Sequence, residues 1–170
     1  MEIQNHIVKQ YNLSTGFGFG TETDANADLD LTSGSGLSNV SGGAIADNGQ
    51  YIYVCRSSTI YQWTLSTPWE LSTASYTASI SLSSMGRMKI SPDGKQIITM
   101  YQSVGEVTFK SYNLSTAWDI TTATLNKTKT LAQIGMPEPG GGDIYPCWDI
   151  HDDQWDFMPY YATLGYRLYC

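Results

Sequence analysis

An internal repeat runs through this 170-residue chain and limits the folds open to it. Leu65-Ser-Thr-Pro-Trp-Glu-Leu-Ser-Thr-Ala74 returns as Leu114-Ser-Thr-Ala-Trp-Asp-Ile-Thr-Thr-Ala123, an offset of 49 residues. An earlier copy, Tyr11-Asn-Leu-Ser-Thr15, is identical to Tyr112-Asn-Leu-Ser-Thr116 and carries Phe17 in the place of Trp69 and Trp118. Self-similarity at this period means that one supersecondary unit recurs and that neighbouring units bury each other's apolar faces.

The unit reads as four strands, a to d. Upstream of the two later copies, Ala44-Ile-Ala-Asp-Asn-Gly-Gln-Tyr-Ile-Tyr-Val54 lines up with Lys89-Ile-Ser-Pro-Asp-Gly-Lys-Gln-Ile-Ile-Thr99. Asp47-Asn48-Gly49 and Ser91-Pro92-Asp93-Gly94 are turns between strands a and b, because Asn, Asp and Gly tolerate positive φ and Pro presets the first turn residue. Residues 59–65 and 107–114 alternate with period two as strand c, and residues 75–82 and 124–131 supply strand d. Two complete units therefore span 42–82 and 86–131. A third is entered at strand c (residues 7–13), with the acidic residues 27–32 as strand d. The C-terminus opens another, with 144–150 as a, His151-Asp-Asp-Gln154 as the turn, 155–161 as b and 164–169 as c. A chain of 18 Ser, 18 Thr, 16 Gly and 12 Tyr, in which helix formers never accumulate, agrees with this reading. The predicted fold is all-β and β-propeller-like, about three four-stranded antiparallel blades in one domain over 1–170, with units near 1–35, 36–84, 85–135 and 136–170.

On these residues the chain resembles a known repeat family. The Ser91-Pro-Asp-Gly-Lys95 turn is similar to that of WD-like and lactonase-like propeller repeats. The Tyr-rich strand followed by Leu-Ser-Thr-Pro-Trp-Glu-Leu-Ser-Thr-Ala resembles a propeller repeat of aquatic bacteriophage virion proteins and environmental bacterial proteins. The resemblance implies a virion structural protein of capsid, tail or fibre, assembled in the host cytoplasm. Residues 16–36 and the loop Pro137-Glu-Pro-Gly-Gly-Gly142 depart from the repeat.

Net charge and cysteines narrow the partners. Nine basic against sixteen acidic residues give −7, a field that repels phosphate backbones and anionic lipid, so neither nucleic acid nor membrane is expected. Cys55, Cys147 and Cys170 show no C-x-x-C spacing and form neither a dense disulfide framework nor a structural zinc site. Cys55 lies in an apolar strand pattern and reads as a small core residue. The first ten residues show no basic segment followed by an apolar one, so no secretory signal is expected.

Among candidate sites, Trp69 with Glu70 and Trp118 with Asp119 recur in the c–d connection, where an aromatic face and a carboxylate could together hold a sugar ring. The competing, favoured reading is that each Trp packs between neighbouring blades. Asp24-x-Asn-x-Asp28-x-Asp30 alternates oxygen ligands as a calcium loop does, but Leu29 and Ser35 stand where the turn Gly and the bidentate Glu belong, so an acidic strand edge is favoured. Gly16-x-Gly-x-Gly20 has no helix behind it to cradle phosphate. Cys147, Asp149 and His151 share one face of a strand, although His151-Asp-Asp153 also reads as a turn. No nucleophile elbow, zincin helix or P-loop occurs.

The function expected is therefore non-enzymatic, without cofactor or metal: a structural or adhesive module acting through assembly with its own copies or other virion proteins. The edges offered for that assembly are Ile7, Val8 and Tyr11 at the start and Leu164, Tyr166 and Leu168 at the end. A carbohydrate-binding propeller that recognises a surface glycan is the alternative, and a lactonase-like hydrolase comes after it.

Overall fold

The protein is described by a computed structural model covering residues 2–4, 6–14, 20, 22–40, 42–46, 48–83, 86–103 and 106–134. These residues form three antiparallel sheets. The first contains β1 (Glu2–Gln4), β2 (Ile7–Leu13) and β3 (Glu22–Asp30). The second is the meander β4 (Gly42–Ile45), β5 (Tyr51–Arg56), β6 (Thr59–Leu65) and β7 (Ala74–Ser81), and the third repeats it as β8 (Arg87–Ile90), β9 (Gln96–Ser103), β10 (Glu106–Leu114) and β11 (Ala123–Thr130). The two complete repeat units are thus two complete four-stranded sheets.

The turns between the first two strands of each sheet form for the reason the sequence suggests. The Gly49 N–H donates to the Ala46 carbonyl at 2.8 Å and the Gly94 N–H to the Ser91 carbonyl at 2.8 Å, and both glycines sit at φ 69°, a region costly for any residue with a Cβ. In the third sheet the Ser91 hydroxyl donates to Asp93 at 2.6 Å and accepts the N–H groups of Lys95 and Gln96 at 3.1 and 2.9 Å. These bonds hold the Asp93 carboxyl below its ordinary pKa, the Ser91 hydroxyl contributing most.

Two apolar layers join the sheets. Val8, Leu29, Leu31 and Leu37 meet Ile52, Val54, Trp63, Leu65 and Leu71 between the first and second. Tyr53, Cys55, Ile60 and Leu82 meet Met88, Ile90, Ile97, Tyr112, Leu114 and Ile120 between the second and third. β5 is therefore buried on both faces, which is why Tyr51–Cys55 reads as an unbroken apolar run rather than an alternation. Cys55 is a core thiol: its S–H reaches the Gly42 carbonyl at 3.3 Å, and burial pushes its pKa up to about 11.

The first sheet differs from expectation in two ways. The chain does not enter at the strand of residues 7–13, because β1 precedes it and pairs Glu2 with Lys9 and Gln4 with Ile7. β2 is therefore hydrogen-bonded on both sides, and Val8 is 0% exposed against the second sheet. Ile7, Val8 and Tyr11 accordingly lie on an interior strand, with no free pairing edge. The last strand of this unit also runs over Glu22–Asp30 instead of 27–32. Its acidic residues face outward, Lys9 lies 3.3 Å from Asp28 and 4.0 Å from Asp24, and the Asp30 carboxylate ends the strand by accepting the N–H and hydroxyl of Thr32 at 2.8 and 2.7 Å.

Candidate functional site

Trp69 and Trp118 occupy equivalent corners of the second and third sheets. Both have positive φ, 66° and 68°, an uncommon conformation for a bulky residue and one that the surroundings must hold in place. Each backbone N–H donates to the turn glycine of its own sheet, Trp69 to the Gly49 carbonyl at 2.9 Å and Trp118 to the Gly94 carbonyl at 2.8 Å. The indole then lies on that glycine so closely that a Cβ would stand 2.3 Å from the Trp69 ring at Gly49 and 2.2 Å from the Trp118 ring at Gly94. The turn glycine is required both by its φ and by the ring above it.

A short 3-10 turn follows each tryptophan, Leu71–Thr73 in one sheet and Ile120–Thr122 in the other. The first N–H of each is captured from the preceding sheet. Gln10 Oε1 accepts from Leu71 at 2.9 Å, and Gln62 Oε1 accepts from Ile120 at 3.2 Å. Residue-type reasoning did not single out these two glutamines. Their spacing, Gln10 to Gln62, equals that of Leu13 to Leu65 in the repeat and is the signal that marks them. The equivalent position in the third sheet is Ser111.

The carboxylates beside the tryptophans do different work. Asp119 Oδ1 accepts the N–H and hydroxyl of Thr121 at 2.9 and 2.6 Å, capping the 3-10 turn. Glu70 forms no such cap; it is exposed and accepts only a 3.3 Å bond from Ser72.

The two tryptophans also differ in what covers them. Trp118 stacks on Tyr51 of the second sheet, centroids 6.0 Å apart and planes 7° from parallel, while the Tyr53 hydroxyl donates to the Trp118 carbonyl at 2.9 Å. Burial keeps that phenol protonated well above its ordinary range. Trp118 is thus packed between sheets. Trp69 is 57% exposed. The register explains the contrast: Gln4 opposes Ile7 as Arg56 opposes Thr59, so β1 matches Val54–Arg56 and places nothing opposite Trp69 where Tyr51 covers Trp118. The repeated aromatic and acid pairs do not make a matched row of sites.

The acidic run does not form a loop around a cation. Asp24 turns its carboxylate to the Asn26 N–H at 2.7 Å, and Asp28 pairs with Lys9. Among the described residues no group of His, Cys, Asp and Glu could hold a metal ion, and no helix is long and apolar enough to cross a membrane. The cluster of Cys147, Asp149 and His151, the edge positions Leu164, Tyr166 and Leu168, Cys170, and all of Gly16–Gly20 except Gly20 lie outside the described residues. No protein-family model matches the chain, and no curated protein matches its sequence.

Proposed function

We propose that this chain is a non-enzymatic β-propeller-type module that works by protein–protein assembly, as a structural subunit of a bacteriophage particle. The observation that carries the assembly reading is the incomplete first sheet. Its order is β1-β2-β3 with only three residues in β1, where the second and third sheets each present four strands. A short strand at a sheet border leaves backbone N–H and C=O groups open to another chain, and three units are fewer than the four to eight blades that close a ring. The virion assignment rests on the resemblance of the repeat. Light scattering on the purified chain at tens of micromolar is expected to give an oligomer; a well-behaved monomer would overturn the reading.

One observation favours a second reading, binding of a surface glycan. The Trp69 indole is held by Gly49 on one side and is open on the other, beside the exposed carboxylate of Glu70, an arrangement suited to stacking on a sugar's apolar face. If this is the function, sugar titration shifts the tryptophan fluorescence, and Trp69→Ala removes the response while Trp118→Ala, which unpacks a corner between sheets, retains it. A response that survives Trp69→Ala excludes this site.

A further inference from the structure

The two outer faces of the three-sheet stack carry opposite charge. In the second sheet Ile60 opposes Ile80 and Gln62 opposes Ala78, and Ile80 and Ala78 pack into the layer against the third sheet. The same register in the third sheet pairs Phe109 with Lys129 and Ser111 with Lys127. Lys127 and Lys129 therefore stand on the face turned away from the second sheet, at positions that are apolar where two sheets meet. Both are exposed, and neither has an ion-pair partner among the described residues. At the other end Val8 faces the second sheet, so its neighbours Ile7 and Lys9 face away, together with their cross-strand partners Asp30 and Asp28. Asp24 reaches the same Lys9. Three exposed carboxylates thus share one lysine on that face.

We infer that these faces bind each other head to tail between two copies of the chain, with Lys127 and Lys129 of one copy set against Asp24, Asp28 and Asp30 of the next. The inference rests on the assembly reading and supplies its interface. Two observations on the page select a second copy as the occupant: the complementary charge, and the fact that both sets lie at register positions through which sheets of this chain already stack. On the third sheet's outer face Met100, Val107, Phe109 and Leu131 already form a buried cluster, so the contact falls to the outer strands β11 and β3. A head-to-tail contact of this kind propagates from copy to copy until it closes on itself. It is polar and exposed, so salt weakens it.

The test uses the full chain in sedimentation or light scattering, with circular dichroism as the control for folding. Lys127→Glu with Lys129→Glu is expected to weaken association by roughly tenfold or more, as is Asp24→Lys with Asp28→Lys, because like charges then meet at the contact. Mixing the two reversed proteins restores association, since alternating copies make every contact complementary again. Restoration on mixing cannot come from a general loss of stability in either variant. If the wild-type chain associates but neither reversal, mixing nor molar salt changes it, this interface is wrong while the assembly reading stands. A monomeric wild-type chain removes both.

Discussion

Gly94→Ala is expected to lower the unfolding free energy by about 3 kcal/mol, more than Gly49→Ala, although the two glycines share the same φ of 69°. Two costs add at Gly94. An L-residue in the left-handed region costs roughly 1–2 kcal/mol, and the new methyl would stand 2.2 Å from the Trp118 ring, an overpacking that costs roughly 1–3 kcal/mol. Trp118 cannot move aside easily, because its other face is stacked on Tyr51 and its carbonyl is held by Tyr53. Trp69 has an open outer face and can swing away, so Gly49→Ala should retain mainly the backbone cost, about 1–2 kcal/mol. Urea unfolding of both variants checks the ordering. Equal losses would mean that the Tyr51 stack does not hold the ring. A double-mutant cycle of Gly94→Ala with Trp118→Ala should show a coupling of about 1–2 kcal/mol, the part of the clash that the ring causes.

The second large effect is at Gln62, which is 5% exposed and whose Oε1 is the acceptor for the Ile120 N–H across the sheet interface. Gln62→Leu preserves the bulk but strands a buried backbone donor, at a cost of about 2 kcal/mol. Gln10→Leu should cost about half as much, because Gln10 is only partly buried and water can replace part of its bond to Leu71. Gln62→Glu separates the hydrogen bond from the charge. The neutral carboxyl still accepts from Ile120, whereas the ionised form buries a charge, so its folded pKa rises above the unfolded value near 4.3. Its stability is then fully present below that value and is lost as pH rises through the folded pKa. Unfolding measured from pH 4 to pH 7 should show this decline against a wild-type reference. A Gln62→Glu protein as stable as wild type at pH 7 would show that the position is open to water.

Much of the architecture was legible because its signals are local. Alternation with turn residues between runs placed β6 at Thr59–Leu65 and β2 at Ile7–Leu13, and the Asn-Gly and Asp-Gly turns placed the first hairpin of each complete sheet. β1 was not legible, since three residues carry no period. The start of β3 was missed for a related reason: Glu22–Asp28 has a composition that disfavours strands, and the segment is a strand because β2 pairs with it and Lys9 offsets its charge. Of the candidate site, the recurrence of Trp69 and Trp118 was plain, but their partners come from the a–b turn and from the preceding sheet. The Gln10 and Gln62 bonds cross between sheets in the same way and leave only a spacing in the sequence.

By itself the sequence determined the repeat, the class of fold, the strands of both complete units and the need for a glycine in each turn. These follow from backbone sterics and side-chain period, which act within a few residues. The tertiary structure alone decided that one copy of the tryptophan corner is closed and the other open, that Val8 is interior and that the two end faces differ in charge. Burial at each position depends on what the neighbouring sheet presents at that register, and Trp118 finds Tyr51 there while β1 supplies nothing equivalent to Trp69.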